Sequence, residues 1–331
     1  MKRAVALLAL CVALPALSAD DAVVTAVSEA RALLAQDKAQ AALERLVRED
    51  TRDPRVGLVK GVALYHAGDA PAAIATLTPL LPALAAGSLE RREAVQVLGL
   101  AHYLAGHLAE AVPYLEETQG WAKDNLELNQ ILGNVYIETQ KPDGARACFA
   151  RAYGVAPDSA AAHLLAAQMM IRVEQEAMAE AELRKALAKD PKLPQVHFLL
   201  GQQALFRGRL DDAVALTREE LDVNPANAMA WVQLGDAYTR QLQWDDATAA
   251  LQKSIWINPY YSAPYILLGR AYMKKNQPAT AEGMLRRAIS YDPNNKSAHY
   301  LLGQVLQRLG RDDEARREMD TAAALQDQVE R

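Results

Sequence analysis

The sequence predicts an all-α fold, an α-solenoid of about nine antiparallel helical hairpins. Three columns of residues, each recurring at a step of 34, carry that prediction. Proline stands at Pro157, Pro191, Pro225, Pro259 and Pro293. One small-residue column reads Gly133, Ala167, Gly201, Gly235, Gly269, Gly303, and another reads Ala145, Ala179, Ala213, Ala247, Ala281, Ala315. Proline lacks an amide proton and disfavours helix in the residue before it, so its column marks helix ends. Small side chains let helices approach closely, so the other two columns mark the seam inside each hairpin.

The stretch 228–261 shows one such unit most fully. Trp231, Leu234, Gly235 and Tyr238 share one face of a first helix, because side chains at i, i+3, i+4 and i+7 stack on one stripe. Ala247, Leu251 and Ser254 do the same for a second helix. The polar run from Arg240 to Asp246 supplies the turn, with Asp245 expected to cap the second helix, and Asn258-Pro259 stops it.

Taken in order, the chain opens on an address. Lys2 and Arg3 precede an apolar run over 4–14 that is too short to span a bilayer, and Ala16-Leu17-Ser18-Ala19 offers a small-residue exit. Residues 1–19 are therefore expected to be a secretory signal peptide, cleaved after Ser18 or Ala19, which places the mature protein in a bacterial periplasm. Cys11 follows Leu8-Ala9-Leu10, but the bulk of Leu10 argues against lipid attachment there. With the leader removed, Cys148 is the only cysteine, so no intramolecular disulfide can form.

Residues 20–91 read as two irregular hairpins: a degenerate one carrying Ala30, Leu33, Ala42 and Leu46, then one with Gly61, Ala73 and Leu77. Pro79, Pro82 and Gly87-Ser88 form an insert, because the step from Ala73 to Ala111 is 38 residues rather than 34. Residues 92–331 read as seven regular hairpins. The first of them has Lys123 in the proline column, which leaves Gly120 as the expected helix stop. The others begin near Leu126, Ala160, Pro194, Ala228, Ser262 and Lys296, and the one from Ala160 departs most, with Ala167 for glycine and Met170 for tyrosine.

Composition narrows the function. The formal charge is −5, and without Lys2 and Arg3 there remain 34 basic against 41 acidic residues, which argues against a nucleic-acid partner. Hairpins account for nearly all of residues 22–327, so no segment is left for a catalytic domain. Phosphate loops, nucleophile elbows and zinc spacings are missing; His102 and His107 lie five apart, where a helical zinc pair needs four. The reading is of a chain that is not an enzyme and takes no cofactor or metal.

The pattern of Trp, Leu-Gly, Tyr, Ala and Pro at fixed offsets over 228–261 resembles the tetratricopeptide repeat (TPR) family. The resemblance implies a right-handed superhelix whose first helices line a concave groove. On that expectation the column after the glycine, Asn134, Gln168, Gln202, Asp236, Arg270 and Gln304, forms a polar ladder able to pair with the backbone of an extended peptide. The alternative is that these groups bond neighbouring repeats or water. Beside the ladder, Phe198, Leu205 and Phe206 with Leu164 and Ile171 would make an apolar floor, unless they are ordinary core. Arg240, Arg270, Lys274 and Arg308 would favour a ligand carboxylate.

Some family members clamp the terminal carboxylate of a chaperone peptide with Lys and Asn side chains. Asn134 matches one such place, but Gln130 stands where the lysine belongs and Gln168 does not continue the set, so that activity is not carried over. Two functions remain open. One is a non-enzymatic adaptor of the bacterial envelope that holds a segment of another envelope protein in the groove. The other is an assembly subunit that docks folded partners through its convex face or ends.

Overall fold

The structure is a computed structural model and describes residues 19–50 and 52–329. The expected leader, with Cys11 and all but the last of its exit residues, lies outside the described residues. Eighteen α-helices and one 3-10 helix, with no strand, are present among the described residues. They group into two compact units, one running to Gly154 and the other starting at Val155.

The first unit holds α1 (Ala19–Leu34), α2 (Ala39–Leu46), α3 (Pro54–His66), α4 (Ala70–Leu77), α5 (Leu89–Leu104), α6 (Leu108–Trp121), α7 (Leu126–Glu138) and α8 (Pro142–Ala152). Each odd helix packs on the even helix that follows it. The insert forms a 3-10 helix, Thr78–Ala83, directly continuing α4 and held against α3 and α5. Ser88 then restarts the chain, its Oγ accepting the Arg91 N–H at 3.1 Å to cap α5. Gly120 does not stop α6, which continues to Trp121. Cys148 is buried in α8, and burial pushes its thiol pKa up, a setting for an inert side chain.

The second unit holds α9 (Ala160–Arg172), α10 (Glu176–Lys189), α11 (Val196–Phe206), α12 (Leu210–Val223), α13 (Ala228–Arg240), α14 (Trp244–Ile257), α15 (Ser262–Lys274), α16 (Pro278–Tyr291), α17 (Lys296–Arg308) and α18 (Asp312–Val329). α13, α15 and α17 start at the expected residues, and α11 starts at Val196 instead of Pro194.

The glycine column has a steric cause. A Cβ on Gly235 would lie 2.6 Å from Leu251 Cδ2 on the partner helix, and one on Gly269 would lie 2.6 Å from Leu285 Cγ. Only bare backbone admits these large side chains.

The turn inside each hairpin uses the left-handed region of backbone space, at Asp37, Gly68, Gly106, Gln140, Glu174, Gly208, Leu242, Asn276 and Gly310. This single left-handed residue ends the first helix and reverses the chain. Asp245 is not the cap that the sequence suggested: α14 begins at Trp244, has no side-chain cap, and carries Asp245 in its first turn, where it takes an ion pair from Lys275. Leu242, exposed at φ 63°, is strained, since a branched side chain crowds the backbone there. Leu242→Gly should stabilise the protein by about 1 kcal/mol in chemical denaturation.

A further column joins the end of one hairpin to the start of the next. Trp231 Nε1 donates to the Pro225 carbonyl at 2.9 Å, the Tyr265 hydroxyl to Pro259 at 2.9 Å, and Asn129 Nδ2 to Lys123 at 2.7 Å. His197 Nε2 lies 3.1 Å from the Pro191 carbonyl and His299 Nε2 2.9 Å from that of Pro293; a carbonyl only accepts, so both ring nitrogens donate. His163 occupies the same column and turns its Nδ1 to Glu182 at 2.7 Å. Residues of four chemical types thus share one position because each brings a donor to it.

The hairpin of α11 and α12 departs from the pattern too, in a way different from the one that starts at Ala160. Thr217 replaces the large apolar residue opposite the glycine, and Gln233 Nε2 donates to its Oγ1 at 2.7 Å. Pro194 delays the helix, and Gln195 precedes it in the left-handed region with no cap from its own side chain. The buried Glu220 carboxylate of α12 does that work, accepting the Gln195 N–H at 2.9 Å and the Phe198 N–H at 3.3 Å.

Candidate interaction groove

In the second unit α11, α13, α15 and α17 each touch the next. Each presents three residues one turn apart on the same face, because i, i+4 and i+8 fall in line on a helix. The first row across the four helices is Phe198, Val232, Ile266, Tyr300. The second is Gln202, Asp236, Arg270, Gln304, and the third is Phe206, Arg240, Lys274, Arg308. Local capping fixes these positions. Asn227 Oδ1 accepts the Ala230 N–H at 3.1 Å to start α13, Asn295 does the same for α17 at 3.1 Å, and Glu220 starts α11.

Phe198, Val232 and Ile266 line a concavity of about 510 Å³, together with Gln202, Asp236, Arg240 and Arg270. Neighbouring first helices are tied to one another. Gln233 Nε2 donates to the Phe198 carbonyl at 3.3 Å, Arg240 to the Leu205 carbonyl at 3.2 Å, and Arg308 to the Met273 carbonyl at 3.2 Å. Arg240 also pairs with Asp236 at 3.0 Å. Two of the four cations expected to face a ligand are therefore engaged in holding the helices together. Arg270 and Lys274 are exposed and form no hydrogen bond or ion pair with any described residue. Gln202 and Gln304 have no hydrogen-bond partner among the described residues either.

Five of the ten residues singled out from the sequence thus meet in one concavity, and Lys274 and Gln304 continue its rows. Phe206 is not part of the floor. It is 78% exposed at the last position of α11, in the row of Arg240 and Lys274, and the floor beneath is closed by Leu205. Gln168 lines a separate concavity with Ile171 and Leu199, and its amide donates to Gln195 at 3.2 Å. Asn134 lies half-buried on α7 in the first unit, which has its own concavity of about 270 Å³ lined by Tyr65, Val97, Leu100 and Ile131.

Sequence reasoning missed Gln233 and Glu220, which set α11 in place; Glu220 stands where the other hairpins carry Ala186, Ser254 and Ala288, and that break in the column was the available signal. Among the described residues no group of three or more His, Cys, Asp and Glu side chains is placed to hold a metal ion. None of the described helices is long and apolar enough to cross a membrane.

The chain is similar in structure to MamA (24% identity, covering 48% of this chain and 93% of that one, TM-score 0.44). It is also similar to a MamA fragment from Desulfovibrio magneticus RS-1 (21% identity, 52% and 97% covered, TM-score 0.47). A third similar structure is YrrB, described as a TPR protein with an unusual peptide-binding site (19% identity, 55% and 94% covered, TM-score 0.46). No curated protein matches the sequence. Family comparison matches the tetratricopeptide repeat at residues 27–87, 198–262 and 266–329, and a second form of the same repeat at 102–169. With more than half of its length matched, the chain belongs to the tetratricopeptide repeat family, whose repeats typically serve as non-enzymatic modules for protein–protein interaction and scaffolding.

Proposed function

We propose that this protein is a non-enzymatic adaptor of the bacterial envelope, exported through its leader and binding a segment of another envelope protein along α11, α13, α15 and α17. The observation that carries the reading is the apolar row of Phe198, Val232 and Ile266 lying beside Gln202 and Arg270, which have no partner among the described residues. Apolar contact supplies affinity there, and the free amides and cations supply orientation.

The two contributions separate by salt. Phe198→Ala should weaken a bound segment about equally at low and high salt, because it removes apolar area worth about 25 cal/mol per Å². Arg270→Ala with Lys274→Ala should weaken it chiefly at low salt, where screening is least. Titration of a captured partner segment at two ionic strengths, with circular dichroism as the folding control, reads both effects. Groove variants that bind like the parent would remove this reading.

The second reading, an assembly subunit docking folded partners through other surfaces, is favoured by Trp256 and Tyr260. They are 83% and 75% exposed at the end of α14 and in the turn after it, and neither lines the concavity. Loss of binding in Trp256→Ala with retention in the groove variants would select it. Export is tested by intact mass after expression in a Gram-negative host: the periplasmic protein should lack 18 or 19 residues.

A further inference from the structure

We infer that the segment held by the second unit is a polyproline II strand of about ten residues, apolar at every third position and acidic toward one end. This rests on the groove reading above and deepens it.

α11, α13, α15 and α17 each touch the next, and since helices in contact lie about 9 Å apart, a ligand crossing them meets one of Phe198, Val232, Ile266 and Tyr300 at about that interval. A polyproline II strand advances about 3.1 Å per residue with three residues per turn, which returns the same face every ~9 Å. A β-strand returns its face every ~7 Å and falls out of step by the second helix. An α-helix can meet the interval once every two turns, at ~11 Å.

Two unpartnered amides favour an extended backbone over a helix. Gln202 and Gln304 flank the apolar row one turn along their helices and have no partner within the described chain. An amide pairs with free N–H and C=O groups. A polyproline II backbone leaves all of these free, whereas a helix consumes its own.

Charge sets the ends of the segment. Over α11 the rows read Phe198, Gln202, Phe206 and carry no charge; over α13 the Asp236–Arg240 pair cancels at 3.0 Å. Over α15 and α17 stand Arg270, Lys274 and Arg308, with no carboxylate in the three rows to answer them. Ligand carboxylates therefore gather over α15 and α17, and the apolar end of the segment lies toward Phe198.

The test is selection of peptides from a random twelve-residue display library (a length of about the span above) on the purified full-length mature chain. The selected peptides are resynthesised and titrated against the parent, Phe198→Ala and Arg270→Ala/Lys274→Ala. The expected result is enrichment of apolar residues at every third position with Asp or Glu at one end. Each groove variant should then bind about tenfold more weakly, as should an isomer of the best peptide with its apolar residues moved to every second position. Selected peptides that depend on the groove but carry a period of two or seven would overturn this inference and leave the adaptor reading standing. Peptides indifferent to the groove variants, or none selected, would overturn both.

Discussion

Glu220→Ala is expected to lower the stability of the second unit by about 3 kcal/mol, the cost of stripping partners from N–H groups at a partly buried helix start. The carboxylate is fully buried, accepts the N–H groups of Gln195 and Phe198, and takes a third bond from Asn227 Nδ2 at 3.3 Å. Its charge is tolerated because it faces the positive end of α11 as well as these donors. Alanine leaves α11 with neither its own cap nor a borrowed one. Glu220→Gln keeps an acceptor oxygen and should cost about 1 kcal/mol. Because α11 carries Phe198 and Gln202, amide exchange across 196–206 should rise in Glu220→Ala before the rest of the unit responds. Equal stability of the alanine and parent proteins in urea would show that the cap is dispensable.

Leu251→Ala should cost about 2 to 5 kcal/mol, the range for deleting a buried leucine whose site cannot collapse. Leu251 is fully buried with its Cδ2 against the bare Cα of Gly235, and nothing on that glycine can fill the space it vacates. Adding a methyl there separates the two effects. Gly235→Ala alone should destabilise, since its Cβ would stand 2.6 Å from Leu251 Cδ2. In the Leu251→Ala background the same change should restore about 1 kcal/mol, through the filled space and better helix propensity. Since repeats contact mainly their neighbours, the Leu251→Ala melt should broaden or split. An unchanged denaturation curve would show that this face of α14 is not the buried one.

The fold was legible because its determinants are periodic. The proline column locates helix ends and the glycine column locates the seam, so the start of α13 could be placed to the residue from spacing alone, while its end runs through Arg240, which the polar run had assigned to the turn. The rows of the groove were legible for the same reason, since Phe198, Gln202, Asp236, Arg240 and Arg270 share fixed offsets from the glycines. What spacing could not give is the occupation of each polar group. Arg240 and Arg270 are the same residue type, but Arg240 is consumed by Asp236 one turn away and by the Leu205 carbonyl, whereas Ile266 stands one turn from Arg270, which has no partner among the described residues. The column of His163, His197 and His299 is not visible as a residue type, because it also holds Asn129, Trp231 and Tyr265; the shared property is a donor at one height. Phe206 stands in the third row but outside the floor, because it is the last residue of α11 and is exposed beyond the packed seam that Leu205 closes.

Every bond that positions the groove is short in sequence. The proline carbonyl is met by a donor six residues on, Glu220 reaches back 25 residues, and the ties between neighbouring first helices span 35. Closing such loops takes little chain entropy, and a chain dominated by them has a low contact order. Groove assembly should accordingly be fast and directional, each hairpin templating the next as it becomes available, with no long wait for distant segments to find one another. If the chain is exported N-terminus first, as proposed above, α11 to α17 would be completed in spatial order, and the apolar end of the proposed groove at Phe198 would exist before its cationic end does.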